Sequence, residues 1–71
     1  MTSLHTKAYG EVIERLKKAR INAGLTQVEV ARKMKKPQSY VSKVENRQRR
    51  LDILEVRELA NLYKVKLDDL I

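Results

Sequence analysis

The chain has 71 residues, no cysteine, and 16 Lys and Arg against 9 Asp and Glu, which give a net charge of +7 at pH 7. This length predicts one domain, since such a chain buries only about 60% of its unfolded surface, and the missing cysteine excludes disulfides and thiolate metal sites. No apolar run approaches the ~20 residues that cross a bilayer, and no signal-peptide pattern opens the chain, so a cytoplasmic protein without a membrane partner is predicted.

The positive charge is concentrated in the middle of the chain. From Arg15 to Arg50, 12 Lys or Arg stand against two Glu, a net charge of +10, whereas the other residues carry four Lys or Arg against seven acids, a net charge of −3. A segregated positive field attracts polyanions such as nucleic acid. The alternative, an amphipathic helix 1 on an anionic membrane, is disfavoured because the core needs its apolar stripe.

The first predicted helix runs from about Lys7 to Ala23. Gly24 follows, where a helix end favours a left-handed residue. Residues 1–6 are predicted to form a flexible N-terminal end, and the lone His5 has no metal-ligand partners at suitable spacing. The apolar residues that recur at helical spacing are Tyr9, Val12, Ile13, Leu16 and Ala19.

The segments LTQVEV and LDILEV carry the same signal for a helix start. Thr26 in the first and Asp52 in the second can act as N-caps, and Glu29 and Glu55 stand three residues later to complete capping boxes. These signals predict helix 2 over about residues 27–34 and helix 4 up to about Tyr63.

The only proline, Pro37, predicts the start of helix 3, because the first turn of a helix tolerates its missing N–H. Helix 3 is expected to end near residue 45 or 46, and a short fifth helix to begin near Leu67. No strand pattern is present in the sequence, so the predicted class is all-α with five helices.

Helix 3 is predicted to have an unusual outward face. At 100° per residue, Val41 and Val44 share one side, whereas the opposite side collects Ser39, Ser42, Lys43 and Asn46. Such short donors and acceptors can approach a base edge or a phosphate, although an ordinary polar surface is the alternative. The short turn between helices 2 and 3 is typical of a helix-turn-helix.

Three stretches together resemble a known family: LKKARINAGLTQVEVARKM, PQSYVSKVEN and LANLYKVKLDDL. They are similar to the phage-repressor and Cro-like, or Xre-type, helix-turn-helix proteins over about residues 12–71. The chain length predicts a single helix-turn-helix domain over residues 1–71, and the resemblance implies a compact five-helix lambda-repressor-like fold in which helices 2 and 3 form the helix-turn-helix.

The resemblance also implies roles for individual side chains. The recognition helix would contact bases in the major groove through Gln38, Ser39 and Lys43. Gln27 takes a phosphate-contacting place, and Arg20 and Glu45 take the places of a partly buried ion pair. Further phosphate contacts are predicted, from the outward face and the basic loop, for Tyr40, Ser42, Asn46, Arg47 and Arg49. For Tyr40, a place at the edge of the core is the alternative.

The chain departs from the family at two positions. Lys35 stands where the turn often has glycine, and a left-handed lysine would cost roughly 1–2 kcal/mol. Pro37 stands where a Ser or Thr cap is common, which leaves the helix start and the reach of Gln38 open.

These observations predict sequence-specific binding of double-stranded DNA by a transcriptional repressor that acts as a homodimer on a palindromic operator. Leu67, Leu70 and Ile71 either form the dimer interface or close the monomer core. No enzyme, cofactor or metal is predicted, because catalytic and cofactor motifs are missing from the sequence. The alternative is an antitoxin or adaptor that mainly binds another protein, and a regulatory protein is a further expected partner. The expected setting is bacterial or phage, on the nucleoid.

Overall fold

A computed structural model describes residues 6–71, and these form four α-helices and one turn of 3-10 helix. The helices are α1 (Lys7–Asn22), α2 (Gln27–Lys33), α3 (Tyr40–Glu45) and α4 (Ile53–Tyr63), and the 3-10 turn is Leu67–Asp69. No strand occurs among the described residues, which confirms the all-α class.

The prediction of a fifth helix is wrong. The segment after α4 closes only two i to i+3 backbone bonds, from Asp69 N to Lys66 O at 3.0 Å and from Leu70 N to Leu67 O at 2.9 Å. This single tight turn carries Leu70 into the core, where 1% of it is exposed. The segment is therefore a single 3-10 turn followed by the buried Leu70, and no fifth α-helix forms there.

One apolar core joins the helices. α1 packs against α3 and α4, α2 packs against α3, and the 3-10 turn packs against α4. Each fully buried Val, Leu or Ile contributes about 1.5–3 kcal/mol relative to an exposed side chain. The most buried core residues include Ile13, Leu16, Val30, Ala31, Val41, Val44, Leu59 and Leu70.

Both predicted capping boxes are confirmed. Thr26 Oγ1 accepts from Glu29 N at 3.1 Å and Glu29 Oε1 accepts from Thr26 N at 2.8 Å, while Asp52 and Glu55 repeat the exchange at 2.8 and 3.0 Å. Thr6 caps α1 by accepting from Tyr9 N. The other residues of the predicted flexible end, 1–5, and the lone histidine among them lie outside the described residues.

The α-helix α3 begins three residues later than predicted. Pro37 instead opens a turn, in which its carbonyl accepts from Tyr40 N at 2.9 Å. Ser39 then serves as N-cap with helical backbone angles and without a side-chain capping bond. Gln38 and Ser39 consequently lie in the turn that leads into α3.

Each α-helix is followed by one residue with a positive φ. These are Gly24, Lys35, Arg47 and Lys64, with φ of 74°, 57°, 59° and 59°. After α2, the Lys36 N–H reaches back to Ala31 O at 2.9 Å and the Lys35 N–H to Arg32 O at 3.1 Å, a Schellman pair. Lys35 thus adopts the left-handed conformation for which glycine is favoured.

Candidate nucleic-acid interface

The turn before α3 and the outer side of α3 form one exposed polar face. The inner side of α3 is buried and is formed by Tyr40, Val41 and Val44. The predicted base-contacting residues Gln38, Ser39 and Lys43 are all exposed, and Ser39 O accepts from Lys43 N one turn later at 3.0 Å. Asn46 is exposed too, and Ser42 is half-buried, with 3.5 Å between Asn46 Nδ2 and Ser42 Oγ.

A charged network fixes the end of α3 to α1. Arg20 donates to Glu45 twice, from Nε to Oε2 at 2.7 Å and from Nη2 to Oε1 at 3.1 Å, and its Nη1 donates to Leu25 O at 2.9 Å. The hydrogen bond to Glu45 raises the pKa of Arg20. The ion pair expected between these two residues is thus present, and it ties together α1, the loop before α2 and α3.

The side chain of Gln27 belongs to the same network. Its Nε2 donates to Glu45 Oε1 at 2.9 Å, and the residue is half-buried at the start of α2. The predicted phosphate contact of Gln27 stays a prediction. The bond to Glu45 fixes where this amide lies relative to α3.

The structure assigns Tyr40 to the core, which was the alternative to a phosphate contact. Only 3% of the residue is exposed, and its hydroxyl donates to Glu55 Oε2 at 3.1 Å. Burial and the neighbouring Glu55 carboxylate raise the pKa of the Tyr40 hydroxyl well above its usual range. Because the Tyr40 hydroxyl donates its proton to Glu55, Tyr40 is not proposed to contact a phosphate.

The two predicted arginine contacts lie on different sides of the loop after α3. Arg47 is half-buried, and its guanidinium lies against α1, so close to Gly10 that a Cβ there would meet Nη1 at 2.5 Å. Arg49 is also half-buried, and its Nη1 donates to Glu55 Oε2 at 3.0 Å and to Oε1 at 3.2 Å. Their phosphate contacts stay predictions.

Glu55 is the centre of a cluster that the sequence analysis missed. Besides Tyr40 and Arg49, its carboxylate has Lys36 Nζ at 3.6 Å. Burial by itself would raise the pKa of Glu55, but hydrogen bonds from Asp52 N and the Tyr40 hydroxyl and the charge of Arg49 outweigh it, so the pKa is lowered. The sequence signals only the capping role of Glu55, because its charged partners come from other loops.

The three candidate interface residues at the C-terminal end differ in exposure. Leu70 is buried and Leu67 is half-buried against the core, whereas 70% of Ile71 is exposed. Leu70 therefore closes the monomer core, in agreement with the second of the two interpretations. Two further apolar side chains are more than 60% exposed in the first turn of α4, namely Ile53 and Leu54.

No helix among residues 6–71 has the length and apolar content needed to cross a membrane. The family model described as helix-turn-helix matches residues 16–70, and this range contains α2, α3, α4 and the C-terminal part of α1 from Leu16 onward. A comparison with curated proteins gives no match. The matched family consists of DNA-binding regulatory domains that are generally not enzymes and that bind double-stranded DNA. The chain therefore belongs to the Cro- and Xre-type helix-turn-helix family of DNA-binding transcription regulators.

Proposed function

We propose that the protein is a repressor that binds double-stranded DNA sequence-specifically, as a homodimer on a palindromic operator. The observation that carries the proposal is the exposed polar face before and along α3, on a helix whose inner side is buried. Gln38, Ser39 and Lys43 are the proposed base contacts. A fixed inner side matters because base readout needs donors and acceptors held at set positions in the major groove.

The positive field supplies the affinity that does not depend on sequence. The segment from Arg15 to Arg50 with its net charge of +10 includes α2, α3 and both adjoining loops. Phosphates neutralised by Lys and Arg release counterions, so the affinity falls as salt is added. The side chains proposed to contact phosphates are Gln27, Ser42, Asn46, Arg47 and Arg49.

Dimerisation is proposed because one small domain makes few contacts with DNA. A two-fold dimer places two recognition helices roughly one helical turn apart on a palindrome. Ile71 with the half-buried Leu67 is one candidate contact, and the exposed pair Ile53 and Leu54 is the other. Sedimentation of Ile71→Glu and Leu54→Glu identifies the contact, since only a charge in the interface dissociates the dimer.

Selection of bound sites from a random duplex pool tests the function directly. The expected result is an enriched palindrome whose half-sites are about 10 base pairs apart. An unselective pool would favour the alternative of an antitoxin or adaptor protein. Exposed apolar side chains such as Ile53 and Leu54 support that alternative, because they also suit a protein partner.

Lys43→Ala tests whether lysine 43 contacts a base. We expect a loss of about 1–3 kcal/mol on the selected operator and relaxed selectivity at one position. Lys66→Ala, which removes the same charge outside the positive segment, is the control. Equal weakening of operator and random duplex by Lys43→Ala, measured by fluorescence anisotropy, would identify a phosphate contact instead.

A further inference from the structure

Glu55 joins three parts of the chain that surround α3. Lys36 lies in the turn before α3, Tyr40 is its first residue, and Arg49 lies in the loop after it. All three contact the Glu55 carboxylate, at 3.6, 3.1 and 3.0 Å to Oε2. The two cations also lie against the Tyr40 ring, with Lys36 Nζ 5.6 Å and Arg49 Cζ 4.8 Å from its centroid.

We propose that Glu55 is a positioning residue for DNA binding, which holds Lys36 and Arg49 together as a two-cation site for a DNA phosphate. The proposal rests on the proposed DNA-binding function. It adds Lys36 to the phosphate contacts and gives Glu55, which itself is mostly buried, a role that acts through the two cations.

Both cations keep donors for an incoming anion. The hydrogen bonds that the Arg49 side chain donates within the described residues all come from Nη1, to Glu55 and to Arg50 O, and 39% of the side chain is exposed. Lys36 is 35% exposed, and its 3.6 Å separation from Glu55 is longer than a hydrogen bond. Nε and Nη2 of Arg49 and Nζ of Lys36 can therefore donate to phosphate oxygens.

The charges of the cluster also favour an anion. The charged side chains in direct contact are one carboxylate and two cations, so these three keep a net charge of +1, and the Asp52 carboxylate lies nearby. Arg and Lys side chains lose much rotamer freedom when they bind, and holding them in place beforehand reduces that loss. Since Lys36 precedes α3 and Arg49 follows it, one phosphate bound by both would also fix the recognition helix against the DNA backbone.

A role in capping alone can be separated from this role. Glutamine also serves in a capping box, so Glu55→Gln keeps an acceptor for Asp52 N while it removes the charge that holds the two cations. Glu58→Gln is the matched control, because Glu58 is exposed on the same helix and the charge change is identical. General electrostatics predicts slightly tighter DNA binding for both variants.

The experiment measures the affinity of each variant for the selected operator at several salt concentrations, below its melting temperature. We expect Glu55→Gln to bind about fivefold more weakly than Glu58→Gln, despite equal net charge. Its salt dependence is expected to lose about one phosphate contact, which a purely structural role would not change. In an Arg49→Gln background, the loss caused by Glu55→Gln should be smaller, because the two residues act together.

Arg49→Lys gives the same test without any change to the cap. It keeps the charge but replaces the guanidinium, in which Nη1 donates to both Glu55 oxygens and Nε and Nη2 remain for a phosphate, by a single ammonium group, and a loss of about fivefold is expected. The positioning role of Glu55 would be overturned if Glu55→Gln and Glu58→Gln bound the operator equally well. The same holds if Arg49→Lys bound it as well as the wild type, and in both cases the proposed DNA-binding function would stand. If the wild type binds no duplex, the proposed function fails as well.

Discussion

Glu45 accepts three hydrogen bonds from two other elements, two from Arg20 on α1 and one from Gln27 on α2. Only 5% of its side chain and 11% of that of Arg20 are exposed. Ions with so little water around them depend on each other, since removing one leaves the other uncompensated. At the scale of single residues, this pair is a polar link between the recognition helix and α1.

Glu45→Gln should therefore lower the free energy of unfolding by roughly 2 kcal/mol, because glutamine loses the charge and cannot accept from Arg20 with both terminal atoms. Urea unfolding followed by circular dichroism measures the change. Glu11→Gln, which removes an exposed carboxylate from α1, is the control and should change stability by less than about 0.5 kcal/mol. Equal stability of the two variants would mean that the ion pair contributes nothing to the fold.

At the scale of elements, the starts of α2 and α4 are easier to predict from the sequence than the start of α3 or the end of the chain. A capping box joins residues three positions apart, so the starts of α2 and α4 can be read from Thr26 with Glu29 and from Asp52 with Glu55. Pro37 misled the prediction because its fixed φ suits a turn as well as a first helical turn. The last segment depends on Leu70 reaching a core that local patterns do not describe.

The candidate site shows the same division between local and distant contacts. The outward face of Ser42, Lys43 and Asn46 follows from helical periodicity. Arg20 and Glu45 are 25 residues apart, and only the family resemblance pointed to their pairing. For the Lys36 and Arg49 contacts to Glu55 no sequence signal was available, because loop geometry brings these side chains together.

The helix ends contain strain that a substitution can relieve. Lys64 follows α4 with φ of 59°, ψ of 43°, and its Cβ makes this conformation unfavourable. We expect Lys64→Gly to raise the free energy of unfolding by about 1 kcal/mol. Thermal unfolding checks this, with Lys66→Gly as control: the charge lost is the same, but Lys66 has φ of −81°. The control should lose up to about 1 kcal/mol, and a stability loss in both variants would contradict the argument.

At the scale of the whole molecule, two kinds of titrating group limit the pH range of stability. Hydrogen bonds from the Thr26 backbone lower the pKa of Glu29, and the pKa of Glu55 is also lowered. Their native forms bind protons less tightly than the unfolded chain, in which glutamate titrates near pH 4.3. The stability they contribute is present above that pH and is lost as the pH falls through the lower native values.

The tyrosines act at the opposite end of the pH range. Burial raises the pKa of Tyr63 well above its usual range, as it does for Tyr40, so the native state holds these protons more tightly than the unfolded chain, in which tyrosine titrates near pH 10. Their contribution is complete below pH 10 and is lost as the pH rises above it. Tyr63→Phe should therefore reduce the difference in unfolding free energy between pH 7 and about pH 10.5, measured by urea titration at both values. If Tyr63→Phe keeps the full alkaline loss, burial of the Tyr63 hydroxyl is not its cause.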